Sequence, residues 1–159
     1  MKVDSAMIMA AGLGTRMRPL TENKPKPLVE VAGKTLLDHV LDKARDAGIS
    51  NVVVNVHYLP EQVEAHLSMH AADLNFTISD ERDLLMETGG GLVKAESLIA
   101  AEPFYCLNSD AIWTEAAEQD SLKCLAQTWD GDRMDGLLLI VPRERAFQHP
   151  GKGDFSLDA

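Results

Sequence analysis

The chain begins with the run Ala6-Met-Ile-Met-Ala-Ala-Gly-Leu-Gly14, in which an apolar segment leads directly into two closely spaced glycines. A short apolar run that ends in a glycine-rich turn is typical of a buried strand followed by a tight loop. Glycine can adopt positive φ angles and allows the backbone to approach an anion closely. Gly12 and Gly14 can therefore take positive φ, and we expect an anion-binding loop at the carboxyl end of the first strand.

Apolar runs and helical periodicities alternate along the rest of the chain. Strands are predicted at 52–56, 74–79, 104–107 and 136–141, and helices at 36–47, from Pro60, from Gly89 to about Ile99, and from Glu115 to about Trp129. This order predicts an α/β fold with a mostly parallel, Rossmann-like sheet and helices on both faces. Ligands of such sheets bind beyond the carboxyl ends of the strands. The glycines of 12–14 and 89–91 and the carboxylate of Asp110 are expected at that edge.

The length of 159 residues fits one globular domain, and we interpret 1–159 as a single domain. Residues 155–158 resemble the start of another strand just before the sequence stops at Ala159. We therefore expect the carboxyl-terminal part of the domain to be missing. Cys106 and Cys124 are the only cysteines and lack metal-binding spacing, which predicts two buried thiols.

The charge of the chain is acidic overall but uneven. Lys and Arg number 15 against 25 Asp and Glu, a net charge of −10, which argues against nucleic acid or a membrane surface as a partner. Between residues 15 and 34, however, five basic residues accompany only two acidic ones, which indicates a compact anionic ligand. No apolar run approaches the ~20 residues that span a bilayer, and no signal peptide is evident, so we expect a cytoplasmic protein.

Two standard nucleotide-binding motifs are incomplete. The dinucleotide fingerprint GxGxxG would require glycine where Met17 stands, and the P-loop pattern would require glycine at Leu28. What remains is a glycine loop followed by strong cations. Arg16 can offer a bidentate fork to phosphate oxygens, and Lys26 is a point charge between two prolines.

The run Ala10-Ala-Gly-Leu-Gly-Thr-Arg-Met-Arg-Pro-Leu-Thr-Glu-Asn-Lys-Pro-Lys-Pro-Leu28 resembles the amino-terminal motif of the sugar-1-phosphate nucleotidyltransferase family. These enzymes join a nucleoside triphosphate to a sugar 1-phosphate and release pyrophosphate. The resemblance continues in Glu87-Thr-Gly-Gly-Gly-Leu92 and Leu107-Asn-Ser-Asp110. The Thr-Gly-Gly-Gly form and the Gly-Asp-Phe near residue 154 are most similar to N-acetylmuramate 1-phosphate uridylyltransferases of cell-wall recycling.

The resemblance implies a role for each matching position. The residues that would bind the triphosphate lie in the glycine loop and are Ala11, Gly12, Gly14, Thr15 and Arg16. Lys26 would steady charge on the α-phosphate, and Asp110 matches the aspartate that binds Mg²⁺. Glu87 and Gly90 would line the base and sugar pocket, and Gly153 would approach the sugar phosphate. Arg16, Lys26 and Asp110 are the catalytic candidates, because the reaction needs neither a protein nucleophile nor a general base.

Some features of the family have no match, and alternatives stay open. A second metal-binding aspartate and a lysine that grips the sugar phosphate are not found in this sequence. UTP and N-acetylmuramate 1-phosphate are the expected substrates. The alternatives within the family are thymidylyl or guanylyl transfer to glucose or mannose 1-phosphate, and cytidylyl transfer to phosphocholine. A non-catalytic nucleotide-sensing subunit is a further alternative, whereas a dinucleotide-binding oxidoreductase is disfavoured by Met17.

The remaining chemistry-bearing residues are assigned structural roles. His66 and His70 are spaced to share one helix face, but without a third ligand in view no zinc site is expected. The acidic residues at 80–83 are interpreted as a solvated surface run. Trp113 and Trp129 are expected to pack, with Trp113 also placed to border the sugar site.

Overall fold

The computed structural model describes residues 2–116, 119–147 and 151–156. In chain order its strands and helices are β1 (Ser5–Met9), β2 (Glu30–Val31), β3 (Lys34–Thr35), α1 (Leu36–Ala47), β4 (Asn51–Val56), α2 (Pro60–His70), β5 (Asn75–Asp80), α3 (Thr88–Ala95), β6 (Tyr105–Asn108) and α4 (Ser121–Thr128). Single 3-10 turns occur at Thr15–Met17, Lys26–Leu28, Glu96–Leu98 and Arg143–Arg145. None of the helices in these three segments has the length and apolar character needed to cross a bilayer.

The main sheet has four parallel strands in the order β5-β4-β1-β6. β1 lies inside the sheet, where Met9 is opposite both Asn55 of β4 and Asn108 of β6. Because all four strands run the same way, their carboxyl ends meet at one edge. The predicted α/β fold with a mostly parallel sheet is confirmed.

Helices cover both faces of this sheet, and alternate strand residues point to each. On one face, Ile8 and Val54 belong to a cluster that includes apolar residues of α1, α2 and α4. On the other face, Met7 and Val53 pack with Ala95 of α3. Met7 and Ile8 are fully buried, as expected for a strand between two helical layers.

A small hairpin that the sequence did not reveal precedes α1. Strands β2 and β3 pair antiparallel, and Ala32 and Gly33 between them have φ angles of +54° and +77°. Two successive positive φ values are the geometry of a tight two-residue hairpin turn. Thr35 then caps α1, since its Oγ1 accepts a hydrogen bond from Asp38 N at 3.0 Å. The Gly33-Lys34-Thr35 sequence thus forms a hairpin turn and a helix cap. This agrees with the prediction that these residues are not part of a P-loop.

The strand predicted at 136–141 is wrong. None of these residues belongs to a strand, and the side chains of 138–141 are exposed. An apolar run becomes a strand only where a neighbouring strand offers a free edge and another layer covers it. No described strand pairs with this segment, so its apolar composition alone does not produce one.

The helix predicted from Glu115 begins later, at Ser121. The Asp120 side chain caps α4 by accepting from Lys123 N (3.0 Å), and the Glu115 carboxylate accepts from Ser121 N (2.8 Å) instead of joining the helix. Residues 117–118 of the predicted helix and 157–158 of the predicted last strand lie outside the described residues. The predicted burial of both cysteines is also wrong, since Cys106 on edge strand β6 and Cys124 on α4 are exposed.

Candidate active site

A tight loop follows β1 and runs through residues 10–18; it is named the β1 loop. The Ala10 amide is buried and donates a hydrogen bond to Asn55 Oδ1 on the neighbouring strand (2.6 Å). Gly14 has a φ of +63°, and a Cβ there would lie 3.0 Å from both Lys26 Cβ and Thr21 Cγ2. A side chain at Gly14 would therefore strain the backbone and displace its neighbours.

Gly12 behaves differently, because it does not adopt the positive φ that glycine allows. Among the described glycines, positive φ angles occur at Gly14, Gly33, Gly48 and Gly153. A Cβ on Gly12 would meet no heavy atom within 4 Å. The folded chain itself therefore does not require glycine at this position. Its absent side chain instead leaves open space beside the loop.

The segment after the β1 loop is tied to the rest of the domain. The Thr21 side chain is 1% exposed, and its Oγ1 donates to the Gly14 carbonyl oxygen at 2.8 Å. The Tyr58 hydroxyl, between β4 and α2, donates to the Glu22 carbonyl oxygen at 2.7 Å. These bonds fix the conformation of an otherwise exposed polar segment, which is the preorganisation that a binding loop needs.

Two cations are presented near this loop. Arg16 lies in the 3-10 turn Thr15–Met17 with an exposed side chain. Lys26 begins the turn Lys26–Leu28 directly after Pro25, whose ring stiffens the approach. Lys26 packs against Gly14, since a Cβ on that glycine would lie only 3.0 Å from Lys26 Cβ. The structure thus brings together the glycine loop and the lysine that the sequence proposed.

Lys26 and Asp110 form an ion pair although they are 84 positions apart. Lys26 Nζ donates to Asp110 Oδ2, and 22% and 41% of the two side chains are exposed. Asp110 lies just beyond β6, where Ser109 N continues the sheet pairing by donating to the Met9 carbonyl oxygen at 3.2 Å. The carboxylate and ammonium therefore meet at the carboxyl edge of the sheet, as the parallel topology predicts.

The second glycine run opens α3. Glu87 precedes the helix and Gly90 lies in its first turn, and both are exposed. A Cβ on Gly90 would be 3.3 Å from Met86 Cβ. Gly91 is buried, and a Cβ there would be 3.0 Å from Glu81 Oε1. The run leaves open backbone at the exposed Gly89, where a Cβ would meet nothing within 4 Å, while its last glycine packs closely inside.

Glu81 connects the two glycine loops, a role that its sequence pattern did not indicate. Glu81 was expected on a solvated surface, but it is fully buried. Its Oε1 accepts from Asn55 Nδ2 at 2.8 Å, and its Oε2 accepts from the Met86 amide at 3.1 Å. Because Asn55 Oδ1 also accepts from Ala10 N, one hydrogen-bonded chain runs from the β1 loop to the segment before α3. A polar Asn55 within an otherwise apolar strand was the available signal.

Trp113 packs against the core and is held there by hydrogen bonds. Its Nε1 donates to Glu115 Oε1 and to Ser121 Oγ, both at 3.1 Å, and the ring packs against the main core cluster. Burial acts to raise the pKa of Glu115, but the hydrogen bonds from Ser121, Lys43 and Trp113 outweigh it and hold the pKa at about 2. The packing role predicted for Trp113 is confirmed, and its place at the border of the sugar site stays a prediction.

Gly153 is the one candidate that no described contact joins to the others. It is exposed with φ +91°, and a Cβ there would meet no heavy atom within 4 Å. Two depressions of the described surface, of about 90 and 240 Å³, lie at the amino ends of the strands, which form the edge opposite to Lys26 and Asp110.

Comparison with known proteins identifies the family. Residues 5–147 match the family model described as Nucleotidyl transferase. The chain belongs to the nucleotidyl transferase family. The matched range contains the β1 loop, Lys26, the glycine run before α3, and Asp110, but not Gly153.

Two curated relatives of this nucleotidyl transferase are informative. The N-acetylmuramate alpha-1-phosphate uridylyltransferase of Caulobacter vibrioides is 45% identical over 157 residues, which cover 97% of this chain and 64% of the relative. The mannose-1-phosphate guanylyltransferase catalytic subunit beta of Drosophila melanogaster is 45% identical over 111 residues, covering 67% of this chain and 30% of the relative. The chain thus spans just under two thirds of the first relative and a smaller part of the second.

A solved structure supports the fold of this nucleotidyl transferase. A UDP-glucose pyrophosphorylase complexed with UDP-glucose superposes with a TM-score of 0.69 at 20% identity, covering 79% of this chain and 52% of that chain. At this identity the likeness bears on architecture alone. The sequence-based assignment to the sugar-1-phosphate nucleotidyltransferases is confirmed at the level of family and fold.

Proposed function

We propose that the protein transfers a uridylyl group from UTP to N-acetylmuramate 1-phosphate, forming UDP-N-acetylmuramate and pyrophosphate. The observation that carries the proposal is the meeting of Lys26 and Asp110 beside the β1 loop at the carboxyl edge of the sheet. This arrangement supports the binding of a triphosphate with its metal ion, because it combines bare backbone, a cation and a carboxylate.

The β1 loop is suited to the triphosphate. Gly12 leaves open space, so phosphate oxygens can approach the backbone amides around it. Arg16 is exposed and can donate two parallel hydrogen bonds to phosphate oxygens. Thr21 holds the Gly14 carbonyl in place, so the loop does not need to be ordered by the ligand.

The chemistry requires positioning and charge neutralisation. A phosphate oxygen of the sugar 1-phosphate attacks the α-phosphorus of UTP, a new P–O bond forms, and the bond to the bridging oxygen of pyrophosphate breaks. Both reactants are anionic, so the protein must hold them together against repulsion. Lys26 is placed to neutralise charge on the α-phosphate, and Arg16 to hold the departing phosphates. The sugar phosphate is already ionised at neutral pH, so these residues need not remove a proton.

The donors present fit Mg²⁺. Mg²⁺ prefers hard oxygen ligands and is commonly held by one or two carboxylates together with substrate phosphates. Asp110 provides an exposed carboxylate that already accepts from a cationic ammonium group, so its surroundings tolerate positive charge. When bound, Mg²⁺ would neutralise negative charge on the phosphates. Release of Lys26 from Asp110 would then free the ammonium for the α-phosphate.

The choice of UTP and N-acetylmuramate 1-phosphate rests on the relatives. The uridylyltransferase of Caulobacter vibrioides matches 97% of this chain, whereas the guanylyltransferase match stops at 67%. We assign Glu87 and Gly90 to the base and sugar pocket and Gly153 to the sugar phosphate as part of this proposal. N-acetylmuramate is a cell-wall sugar, so we place the reaction in cytoplasmic cell-wall recycling.

A transfer assay tests the proposal. UTP labelled at its α-phosphorus is incubated with Mg²⁺, the protein, and N-acetylmuramate, glucose or mannose 1-phosphate, and nucleotide-sugar and pyrophosphate are measured. Parallel reactions replace UTP with GTP, dTTP or CTP, with phosphocholine included as an acceptor for CTP. We expect UDP-N-acetylmuramate as the main product. Preferential transfer of guanylyl or thymidylyl groups would contradict the assigned substrates, and UTP binding without any product would favour a nucleotide-sensing subunit.

Lysine variants link turnover to the site. Lys26→Met should lower the transfer rate by about 10²- to 10³-fold, the cost of removing one preorganised charge-stabilising group. Lys24→Met is the matched control, because Lys24 belongs to the same segment but pairs with Glu30 at 3.5 Å on the surface. Equal rates in the two variants would remove Lys26 from the proposed chemistry.

A further inference from the structure

Three potential metal ligands meet on the surface that α1 and α2 share. Asp38 in the first turn of α1 and His66 and His70 of α2 each offer one ligand atom, and these three atoms lie within 4.8 Å of one another. Asp38 Oδ1 and His66 Nε2 are 2.7 Å apart. None of the three belongs to the β1 loop or to the Lys26–Asp110 pair. The sequence showed only the two histidines, and the fold adds the carboxylate.

We propose that Asp38, His66 and His70 form a binding site for one Zn²⁺ ion. Two imidazole nitrogens and one carboxylate oxygen make a three-ligand set that suits zinc and is poor for Mg²⁺, which prefers oxygen ligands alone. The fourth position would hold water, because His70 is exposed and leaves the site open to solvent. The ion would join α1 to α2, two helices on the same face of the sheet.

The surroundings favour an ion at this place. The side chains of His66 and Asp38 are only 11% and 18% exposed, so two of the ligands are held in partly buried positions. The contact of 2.7 Å between Asp38 Oδ1 and His66 Nε2 holds two of the ligand atoms side by side. Thr35 Oγ1 accepts from Asp38 N at 3.0 Å and fixes the start of α1, which carries the carboxylate.

The required rearrangement is small. Ligand atoms on a tetrahedral Zn²⁺ lie about 3.3 Å apart, given bond lengths near 2.0 to 2.1 Å. The Asp38–His66 separation of 2.7 Å would open slightly as the metal replaces the shared hydrogen, while His70 would move inward. The His66 and His70 rings are stacked with centroids 4.3 Å apart, and rotation of the exposed His70 ring about its side-chain bonds can turn a nitrogen toward the ion.

Cobalt absorption and zinc competition test the site. The experiment uses the protein with Cys106→Ser and Cys124→Ser, because both thiols are exposed and would bind zinc themselves. Co²⁺ is titrated without nucleotide, and visible absorption reports low-symmetry coordination. Zn²⁺ is then measured by displacement and by competition with a chromophoric chelator. We expect one equivalent of Zn²⁺, and at about 100 times its Kd it should raise Tm by roughly 5 to 10 °C.

Single histidine variants distinguish the site from unspecific binding. His70→Ala removes an exposed ligand and should weaken Zn²⁺ binding by at least about 10- to 100-fold, the typical cost of losing even an outer-shell partner. Its metal-free Tm, measured first, verifies that it folds. His39→Gln is the control, since His39 lies beside Asp38 on α1 but bonds to the Val31 carbonyl oxygen at 2.9 Å. Zinc affinity unchanged in His70→Ala, equal losses in both variants, or no zinc bound by the parent would each overturn the proposal.

Discussion

Replacing Gly14 with alanine tests the geometry of the β1 loop, and Gly12→Ala supplies a matched control two residues away. Gly14 has φ +63°, whereas Gly12 is not among the glycines with positive φ. A Cβ at Gly14 would lie 3.0 Å from Lys26 Cβ and Thr21 Cγ2, whereas a Cβ at Gly12 would meet nothing within 4 Å. The two substitutions are chemically identical, but Gly14→Ala should lower the stability of the fold, whereas Gly12→Ala should weaken UTP binding and leave the stability nearly unchanged.

The expected magnitudes follow from these contacts. A left-handed conformation costs a residue with a Cβ about 1 to 2 kcal/mol. The new methyl group would also crowd Lys26 Cβ and Thr21 Cγ2, which move little because they are close to their own backbone. Relieving these two contacts adds a cost of about 1 kcal/mol or more. Gly14→Ala should therefore lower the free energy of unfolding by roughly 2 to 4 kcal/mol, or Tm by about 5 to 15 °C for a domain of this size. Gly12→Ala should leave it within about 1 kcal/mol of wild type, because only the unfolded chain changes.

The assay is urea and thermal unfolding of the ligand-free proteins, followed by a titration with UTP and Mg²⁺. Gly12→Ala should unfold like wild type and bind UTP more weakly, because its methyl group occupies the space assigned to phosphate oxygens. A Gly14→Ala protein as stable as wild type would refute the described loop conformation. Wild-type affinity for UTP in Gly12→Ala would refute the assignment of that space to the nucleotide.

Three further substitutions have distinct expected results. Arg16→Ala should leave the free energy of unfolding within about 0.5 kcal/mol of the wild-type value, because the side chain is exposed. It should weaken UTP binding, measured by calorimetry, by about 10- to 100-fold. Glu115→Gln should lower the free energy of unfolding by about 2 to 3 kcal/mol at neutral pH. The pKa of Glu115 is about 2 in the folded protein, below its ordinary value of 4.5, so the stabilisation is present above pH 4.5 and is lost as pH falls toward 2. Urea unfolding at several pH values should show that loss in wild type and a flatter profile in the variant, and identical profiles would contradict it. Glu81→Gln should cost about 1 to 3 kcal/mol in urea unfolding, because one buried hydrogen-bond donor loses its acceptor, and an unchanged midpoint would contradict the buried network.

The strands of the sheet and the helices that cover it could be predicted, because their apolar pattern reflects burial directly. Val52 to Val56 carries side chains to covered faces on both sides, and helix α1 ends at Ala47 before Gly48, as its periodicity indicated. The meeting of Lys26 with Asp110 was also within reach. In a parallel sheet the carboxyl ends of the strands share an edge whatever their separation along the chain.

Other features depend on partners that are distant in sequence. The burial of Glu81 requires the amide of Asn55, 26 positions earlier, and no local pattern distinguishes such a glutamate from a solvated one. The carboxylate beside His66 comes from Asp38, 28 positions earlier. The segment 136–141 has the composition of a strand, but pairing decides whether a strand forms, and no described strand pairs with it.

The central claim is that the β1 loop, Lys26 and Asp110 bind a nucleoside triphosphate. Its most direct test is thermal unfolding of this chain with Mg²⁺ and each of UTP, dTTP, CTP, GTP and ATP in turn. A ligand at ~100 times its Kd adds about 2.7 kcal/mol, which corresponds to roughly 5 to 10 °C in Tm. We predict such a shift with UTP, larger than with the other four nucleotides and reduced to about half or less in Arg16→Ala at the same concentration. A Tm unchanged by every nucleotide would contradict the claim.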